Sequence, residues 1–301
     1  MRFYRFIRAE KANYPVTMIC RVLKVSRSAY YAWDKSQRDA AADPMGGLSY
    51  RQVRAAVLTA SITGFHDASK GTYGAPRITA DLRDAGHTVS RKTVAKVMAR
   101  NGIRGCQPRA FRRTTISDDA LDTRKDLVRG IWDRRAPDRV WVSDITYLRT
   151  WEGWAYLATV IDGCTRQVVG WAFADHMRAD LVTDALDMAL RRRQPTGRVI
   201  LHSDRGSVYT SDLLARYART HRLRLSVGAT GVCWDNALAE SFFGMLKNEL
   251  VHRQSWPTRA RLRTALVTWI EGFYNARRRH SALGMISPDA YAQRLRYLVA
   301  A

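Results

Sequence analysis

Hydrophobic residues in the second half of the chain recur with the short period of β-strands. Three apolar, β-branched stretches, 139–148, 154–162 and 168–176, are separated by short polar turns, which predicts an antiparallel meander. Two more, 198–204 and 223–227, alternate with helical patterns. We therefore predict an α/β fold with a mixed five-stranded sheet that is covered by helices. The helical patterns lie at 179–193, near 211–221, and at 234–250.

The first hundred residues show helical periodicity and predict an all-α region. Residues 15–34 form two short helical patterns with a tight break, and Ser26 or Ser28 is the candidate N-cap of the second. This spacing is that of a helix-turn-helix. A tail pattern over 258–280 predicts a further helix that ends in a basic run.

A second helical pair is clearer, at 73–105. Gly86 ends its first helix and Ser90 caps the next, while the apolar stripe consists of Ile78, Leu82, Val94, Val97 and Met98. Four basic residues fall on the outward side of the second helix, namely Arg91, Lys92, Lys96 and Arg100. Two interpretations stay open, a groove-entering helix-turn-helix or a helical hairpin with a solvated basic face.

Charge narrows the choice of partner. The 301 residues carry a formal net charge of +23, and both halves of the chain are basic. A polyanion is the natural partner, and nucleic acid fits best because phosphate neutralisation supplies most of its non-specific affinity. The alternative is a basic protein with structural salt bridges.

Cysteine spacing and hydropathy predict a reduced, soluble, cytoplasmic protein without a membrane partner. The four cysteines are far apart and form no zinc-binding pattern. They are predicted to be reduced core residues, and they are Cys20, Cys106, Cys164 and Cys233. No apolar run is long enough to span a bilayer, and the first residues lack the apolar segment of a signal peptide.

Two carboxylates lie at predicted strands in apolar surroundings. Asp144 is inside the stretch WVSDITY, and Asp204 ends the stretch VILHSD before a turn. A buried carboxylate is costly unless a cation or several donors compensate it. Such a pair indicates a hard metal ion such as Mg²⁺. Either residue alone could equally be a turn cap or a salt-bridge partner.

The helix at 234–250 adds a third carboxylate. Leu238, Phe242 and Met245 form its predicted buried stripe, whereas Glu240 and Lys247 lie on the opposite face, two turns apart. Asn236 and Phe243 share that opposite face, which we interpret as turned toward a substrate.

Lys247 is unusual for its composition. The chain has 42 Arg and 8 Lys, and Lys247 is the only lysine after Lys125. A compact ammonium, acting as a point charge on phosphate or as a base, explains the choice better than a planar guanidinium. Chance exchange between the two residue types is the alternative.

These residues carry a family resemblance. Asp144, Asp204 and Glu240, with 35 residues between the last two, resemble the D, D-35-E signature of retroviral-integrase-like (DDE) transposases. The words WVSDITY, LHSDRGSVY, DNALAESFFGMLKNEL and YNARRRHSALGMISPDAY resemble the second-reading-frame (OrfB-type) protein of the insertion-sequence-three (IS3) family. The resemblance covers about residues 70–300.

The resemblance implies an RNase H-like integrase core with an acidic triad of Asp144, Asp204 and Glu240. It implies that the triad holds two Mg²⁺ ions, or Mn²⁺, for in-line displacement without a covalent enzyme intermediate. It also implies that Lys247 contacts terminal DNA. His202, Ser203 and the turn 206–209 fit the family pattern, with packing or turn roles equally open.

The resemblance and the helical pattern together predict five segments and a set of DNA contacts. The segments are 1–50, helical and helix-turn-helix-like; 51–115, a second such region; 116–136, a basic linker; 137–255, the integrase core; and 256–301, a helical basic extension. The expected DNA contacts are Lys247, Asn236, Arg91, Lys92, Lys96, Arg100, Arg277, Arg278, Arg279 and His280.

The predicted activity is metal-dependent cleavage at the 3′ ends of a mobile element, followed by strand transfer. The expected partners are DNA, further copies of the chain on DNA, and the family's first-frame protein, either separate or fused. Two other functions stay open, a non-catalytic DNA-binding regulator of transposition and a structure-specific nuclease on the same fold. The acidic triad favours chemistry, because a binder does not need it.

Overall fold

The computed structural model of the protein describes residues 2–42, 49–107, 125–128, 136–228 and 237–300. The chain divides into two compact units, Met1–Phe65 and His66–Ala301. The five predicted segments stay predictions, and most of the predicted linker lies outside the described residues.

The first unit is helical, as predicted. Its core is formed by Ile7, Ile19, Cys20 and Tyr30. Ser26 accepts a hydrogen bond from the backbone N–H of Ala29 at 3.4 Å, so it caps the third helix. The helices are α1 (Arg2–Glu10), α2 (Val16–Val22), α3 (Arg27–Ala42) and α4 (Tyr50–Ala68), the last of which runs past the unit boundary.

The second unit begins with the predicted helical pair, α5 (Ala75–Asp84) and α6 (Arg91–Arg100). Gly86 has φ of +85°, a left-handed conformation that glycine adopts without strain, and it follows the end of α5. The hydroxyl of Ser90 accepts a hydrogen bond from the N–H of Thr93 at 3.1 Å and caps α6. Both termini are as predicted.

The sheet confirms the predicted α/β class. It has five strands in the order β3-β2-β1-β4-β5, in which β1–β2 and β2–β3 are antiparallel while β1–β4 and β4–β5 are parallel. The strands are β1 (Val140–Thr150), β2 (Gly153–Asp162), β3 (Val168–Ala174), β4 (Val199–Ser203) and β5 (Leu223–Val227).

Helices cover the sheet around an apolar core. The core joins Trp141 and Val160 of the sheet to Leu186 and Leu214 of the helices. A Cβ at Gly170 would lie 2.1 Å from the carbonyl oxygen of Ala185. Only glycine therefore allows the helix that contains Ala185 to pack so close to β3. The helices after β3 are α7 (Ala179–Arg193), α8 (Ser207–Thr210) and α9 (Asp212–Thr220).

The C-terminal part corrects one prediction. The helix expected over 258–280 is α11, which ends at Trp269 and continues as one π-helical stretch to Asn275. There the buried side chain of Asn275 accepts from the N–H of Val168 and donates to its carbonyl, so it satisfies backbone groups of β3. The helices are α10 (Ala237–Glu249), α11 (Arg259–Trp269) and α12 (Pro288–Ala300).

Three of the four cysteines lie in the described part of the chain. Cys20 and Cys164 are buried, as predicted for core residues, and Cys106 is only half-buried, while Cys233 lies outside the described residues. In the described part of the chain, no helix is both long and apolar enough to cross a membrane.

Candidate active site

Strand pairing places two of the predicted carboxylates side by side. The parallel register of β1 and β4 aligns Val142 with His202. Asp144 and Asp204 each lie two residues beyond this aligned pair, at the carboxyl end of β4. Neighbouring parallel strands lie about 4.8 Å apart, so this alignment brings the two side chains to one edge of the sheet.

A turn fixes the position of Asp204, which follows the last residue of β4. Its Oδ1 accepts a hydrogen bond from the N–H of Gly206 at 3.0 Å, and the Nε of Arg205 donates to the carbonyl of Gly228 at 3.0 Å. A Cβ at Gly206 would lie only 3.0 Å from that same Oδ1. Asp204 as a whole is exposed.

The third carboxylate comes from α10, which packs against β1. Glu240 is exposed, as predicted for its face. Phe243 was predicted to share that face, but it is buried, whereas Met245 of the predicted stripe is only half-buried. The apolar surface of α10 is wider than a narrow stripe because the helix packs against β1 and, through Phe242, against the rings of Trp269 and Tyr274. Its buried residues are Leu238, Ala239, Phe242, Phe243 and Leu246.

The carboxylates act on each other electrostatically. Burial, together with the negative charges of Asp204 and Glu240, raises the pKa of Asp144 to about 7. Burial also raises the pKa of Glu240 and lowers the pKa of Lys247, although the charge of Asp144 partly offsets the change in Lys247. The site therefore holds more negative charge than its single nearby lysine neutralises.

This charge pattern fits a divalent cation. A buried carboxylate that is hard to ionise beside other carboxylates has the chemistry that Mg²⁺ and similar hard ions relieve. Among the described residues, no three acidic, histidine or cysteine side chains converge as the ligands of one ion. Asp144 is instead the central member, with Asp204 on the adjoining strand end and Glu240 on the helix.

Lys247 lies where α10 passes the end of β1. Its Nζ is 5.0 Å from the centre of the Tyr147 ring, a cation–π contact that holds the ammonium near the carboxylates. Asn236, expected on the same face, lies outside the described residues.

Residues flanking Asp204 support the strand ends. His202 is buried, and its Nδ1 is 2.9 Å from the Oγ of Ser226 on β5. The hydroxyl of buried Tyr209 lies 3.0 Å from the Oγ of Ser143, next to Asp144. Burial raises the pKa of Tyr209 well above its ordinary value, so this hydroxyl stays protonated. Packing roles, which the sequence left open, account for these contacts.

The surface of α6 is as predicted. The apolar residues Val94 and Met98 are buried, and Val97 is half-buried. All four basic side chains of the outward face are exposed: Arg91, Lys92, Lys96 and Arg100.

The basic run that follows the π-helical stretch, residues 277–280, was predicted to contact DNA, and this prediction needs correction. Arg278 and His280 are buried, and Arg278 forms an ion pair with Glu249 of α10 at 2.5 Å. Arg279 binds Asp81 and Asp84 of α5, each at 2.5 Å. These side chains join α5, α10 and the C-terminal segment, so they are not a DNA surface. Arg277 alone of the run is exposed.

Sequence reasoning missed an open groove beside Lys247. It has a volume of about 570 Å³ and lies between the β1–β2 hairpin and residues 251–256. Tyr147, Trp151 and Trp154 line it and expose much of their rings. The available signal was three aromatic residues clustered around a tight turn.

Family models place this fold in the integrase class of polynucleotidyl transferases. Two family models, each described as an integrase core domain, match residues 134–233 and 221–288. A third, described as an HTH-like domain, matches residues 52–111. The predicted fold class is confirmed.

Known relatives are more specific. Transposase InsF for insertion sequence IS3A of Escherichia coli (strain K12) is 39% identical over 288 residues, which cover 96% of this chain and 97% of that protein. The insertion element IS600 uncharacterized 31 kDa protein of Shigella sonnei is 36% identical over 282 residues, covering 94% and 100%. The chain belongs to the IS3 family of transposases, as the motifs predicted.

Solved structures that are similar to this chain include the HTLV-2 integrase catalytic core domain in complex with magnesium (trimeric form). It is 15% identical, with a TM-score of 0.40, and covers 52% of this chain and 97% of that one. The catalytic core domain of BIV integrase is 18% identical, with a TM-score of 0.41, covering 55% and 99%.

The buried junction generates a pH prediction. Burial, with the nearby charge of Arg278, lowers the pKa of His280 to about 3. Below about pH 6.5, His280 takes up a proton in the unfolded chain but stays neutral in the folded chain. The free energy of unfolding therefore falls on acidification. Between pH 7 and 5, His280 should account for about 2 kcal/mol of that loss.

Urea unfolding of wild type and His280→Gln at both pH values measures this difference. The variant should lose less stability on acidification than wild type does. Equal losses in the two proteins would contradict the prediction.

Proposed function

We propose that this transposase cuts the 3′ ends of its element and joins them to target DNA at Asp144, Asp204 and Glu240. The single observation that carries the proposal is the strand register that brings Asp144 to the same sheet edge as Asp204, where burial and the charges of Asp204 and Glu240 raise the pKa of Asp144 to about 7. A buried carboxylate beside other negative charges destabilises the folded state, whereas a divalent ion bound at the site would compensate that charge.

The three carboxylates would hold two Mg²⁺ ions, with Mn²⁺ as the substitute. When bound, such ions activate a water or a 3′-hydroxyl and stabilise the leaving oxygen of an in-line displacement. The protein supplies the orientation of these groups. Asp144 and Asp204 are set by strand pairing, and Glu240 is set by the packing of α10 on β1.

Lys247 would position a terminal phosphate next to the carboxylates. Its ammonium is held by Tyr147 and lies within the electrostatic reach of Asp144. A point charge at this place binds a phosphate oxygen without the bidentate geometry that a guanidinium imposes.

DNA would also be held away from the chemistry. The exposed basic side chains of α6 favour a helix that neutralises phosphates, and Arg277 can add to it. Asn236 stays a predicted contact. We further propose that the chain works in the cytoplasm as an oligomer on DNA, whereas the first-frame partner rests on the family resemblance alone.

Substituting the carboxylates tests the triad. Asp144→Asn, Asp204→Asn and Glu240→Gln should each lower cleavage and joining of a labelled terminal inverted repeat by about a hundredfold or more, because charge stabilisation of the displacement is lost. DNA affinity should stay near that of wild type. Asp184→Asn, an exposed carboxylate on α7, is the matched control. Joining retained by any of the three would defeat the assignment, and a nuclease would cut without joining.

Metal binding has a readout other than activity. Mg²⁺ should raise the melting temperature of wild type by a few degrees, because an ion bound only by the folded state stabilises it. Asp144→Asn should remove that gain, and Asp184→Asn should keep it. Equal stabilisation of Asp144→Asn and wild type by Mg²⁺ would place the ion elsewhere.

Lys247→Arg keeps the charge and changes its shape. We expect a larger loss in end processing than in overall DNA affinity, because the planar guanidinium places its charge and its donors differently from the compact ammonium. Strand-cleavage rates and binding isotherms on the same labelled repeat give the two values. Lys92→Arg, on the exposed face of α6, is the control. A parallel decrease in both values would count against a positioned contact.

A further inference from the structure

The groove beside Lys247 has an aromatic wall that folding does not explain. Tyr147 is 60% exposed, Trp151 is 74% exposed and Trp154 is 44% exposed. All three lie on one β-hairpin, at the end of β1, in the turn and at the start of β2. Contiguous exposed aromatic surface in a soluble unit marks a binding site more often than a packing accident.

The aromatic wall also carries positive charge. The rings of Tyr147 and Trp154 meet edge to face at 5.3 Å between centroids. The Cζ of Arg149 lies 5.3 Å from the centre of the Trp154 ring, and the Nζ of Lys247 lies over Tyr147. The row therefore runs from Arg149 through the rings of Trp154 and Tyr147 to Lys247, so that a cation flanks the two rings at each end.

The groove is preformed, because the C-terminal segment clamps the hairpin. The backbone N–H of Trp151 donates to the carbonyl of Trp256 at 3.0 Å. Arg259 donates to the carbonyl of Glu152 at 3.0 Å and to that of Trp154 at 3.2 Å, while its own N–H donates to the Glu152 carboxylate at 2.7 Å.

The turn itself requires glycine. Gly153 has φ of +108°, and a Cβ there would lie 3.3 Å from the Nη2 of Arg259. A rigid turn that presents an exposed tryptophan lowers the entropy lost when a ligand stacks on it.

Exposed aromatic rings flanked by cations in an open groove suit single-stranded nucleic acid. Every base has a π-face that can stack on an aromatic ring, and the cations neutralise the phosphates between bases. Bases inside a duplex have both faces covered by their neighbours, so such rings gain little from fully paired DNA.

We propose that Tyr147, Trp151 and Trp154, with Arg149 and Lys247, form a stacking groove for unpaired nucleotides at the end of the DNA strand being processed. The proposal rests on the proposed function for the location of the reacting phosphate, since the groove continues from Lys247. It adds a substrate feature, namely that the end entering the site is locally single-stranded.

The test compares two DNA probes on the full chain without divalent metal. One is a blunt labelled duplex, and the other is the same duplex with a short single-stranded 3′ overhang. Fluorescence anisotropy at fixed salt gives the affinity for each. Wild type should prefer the overhang probe, and Trp151→Ala should lose about fivefold or more of its affinity for that probe while the blunt duplex binds as before.

Matched variants keep the result interpretable. Trp151→Phe should retain most of the preference because phenylalanine still stacks, and Tyr297→Ala, which removes an equally exposed ring on α12, should leave it unchanged. Circular dichroism melting of each variant checks that the fold is retained.

Three outcomes would overturn the proposal. Trp151→Ala binding both probes as wild type does, or losing affinity for both equally, would show that the ring does not recognise unpaired bases. A variant that changes the oligomeric state in light scattering but not the probe preference would show a contact between protein chains instead.

The proposal for the groove and the proposal for the triad can be contradicted separately. Asp144→Asn should keep the preference for the overhang probe, because the assay needs no metal and no chemistry. Loss of strand transfer in the triad variants with no preference for overhangs would remove the groove alone. Retained preference with active triad variants would remove the proposed function but leave the groove as a binding site.

Discussion

The parallel pairing of β1 with β4 is the constraint on which the rest of the structure depends. Its register puts Asp144 and Asp204 at one edge of the sheet, where partial burial and like charge make ionisation of Asp144 costly. A shift of one residue would turn Asp144 to the opposite face of the sheet. The core between the sheet and α7 fixes this register, so apolar packing determines the electrostatics of the site.

A second interaction holds the helix that completes the site. Glu249 at the end of α10 pairs with buried Arg278, and Arg77 of α5 lies 3.9 Å from the same carboxylate. Removing one partner of a buried pair typically costs about 3–5 kcal/mol because the other charge is left uncompensated. This junction ties the helix-turn-helix-like pair to the helix that carries Glu240 and Lys247. The exposed basic face of α6 and the candidate active site at β1 therefore belong to one packed unit.

Local patterns predicted much of this arrangement. The helix over 179–193 matches α7, the meander matches β1 to β3, and Ser90 caps α6 as its position indicated. Predictions were wrong where a local pattern had more than one tertiary solution. Phe243 lies on the polar side of a helical projection but is buried because α10 is contacted from more than one side. Arg278 carries the charge of a DNA contact but finds a carboxylate inside the protein.

The sequence by itself determined the elements, the excess positive charge and the identity of three carboxylates at a spacing typical of one enzyme class. These are local or compositional properties, which depend on residue type and on short-range periodicity. Only the tertiary structure decided which charges face water and which aromatic rings stay exposed. The clamp between Arg259 and the β1–β2 turn joins segments about a hundred residues apart, and no period in the chain encodes such a contact. Burial depends on the packing of the entire fold, so Arg278 lies in the core whereas Trp151 is exposed.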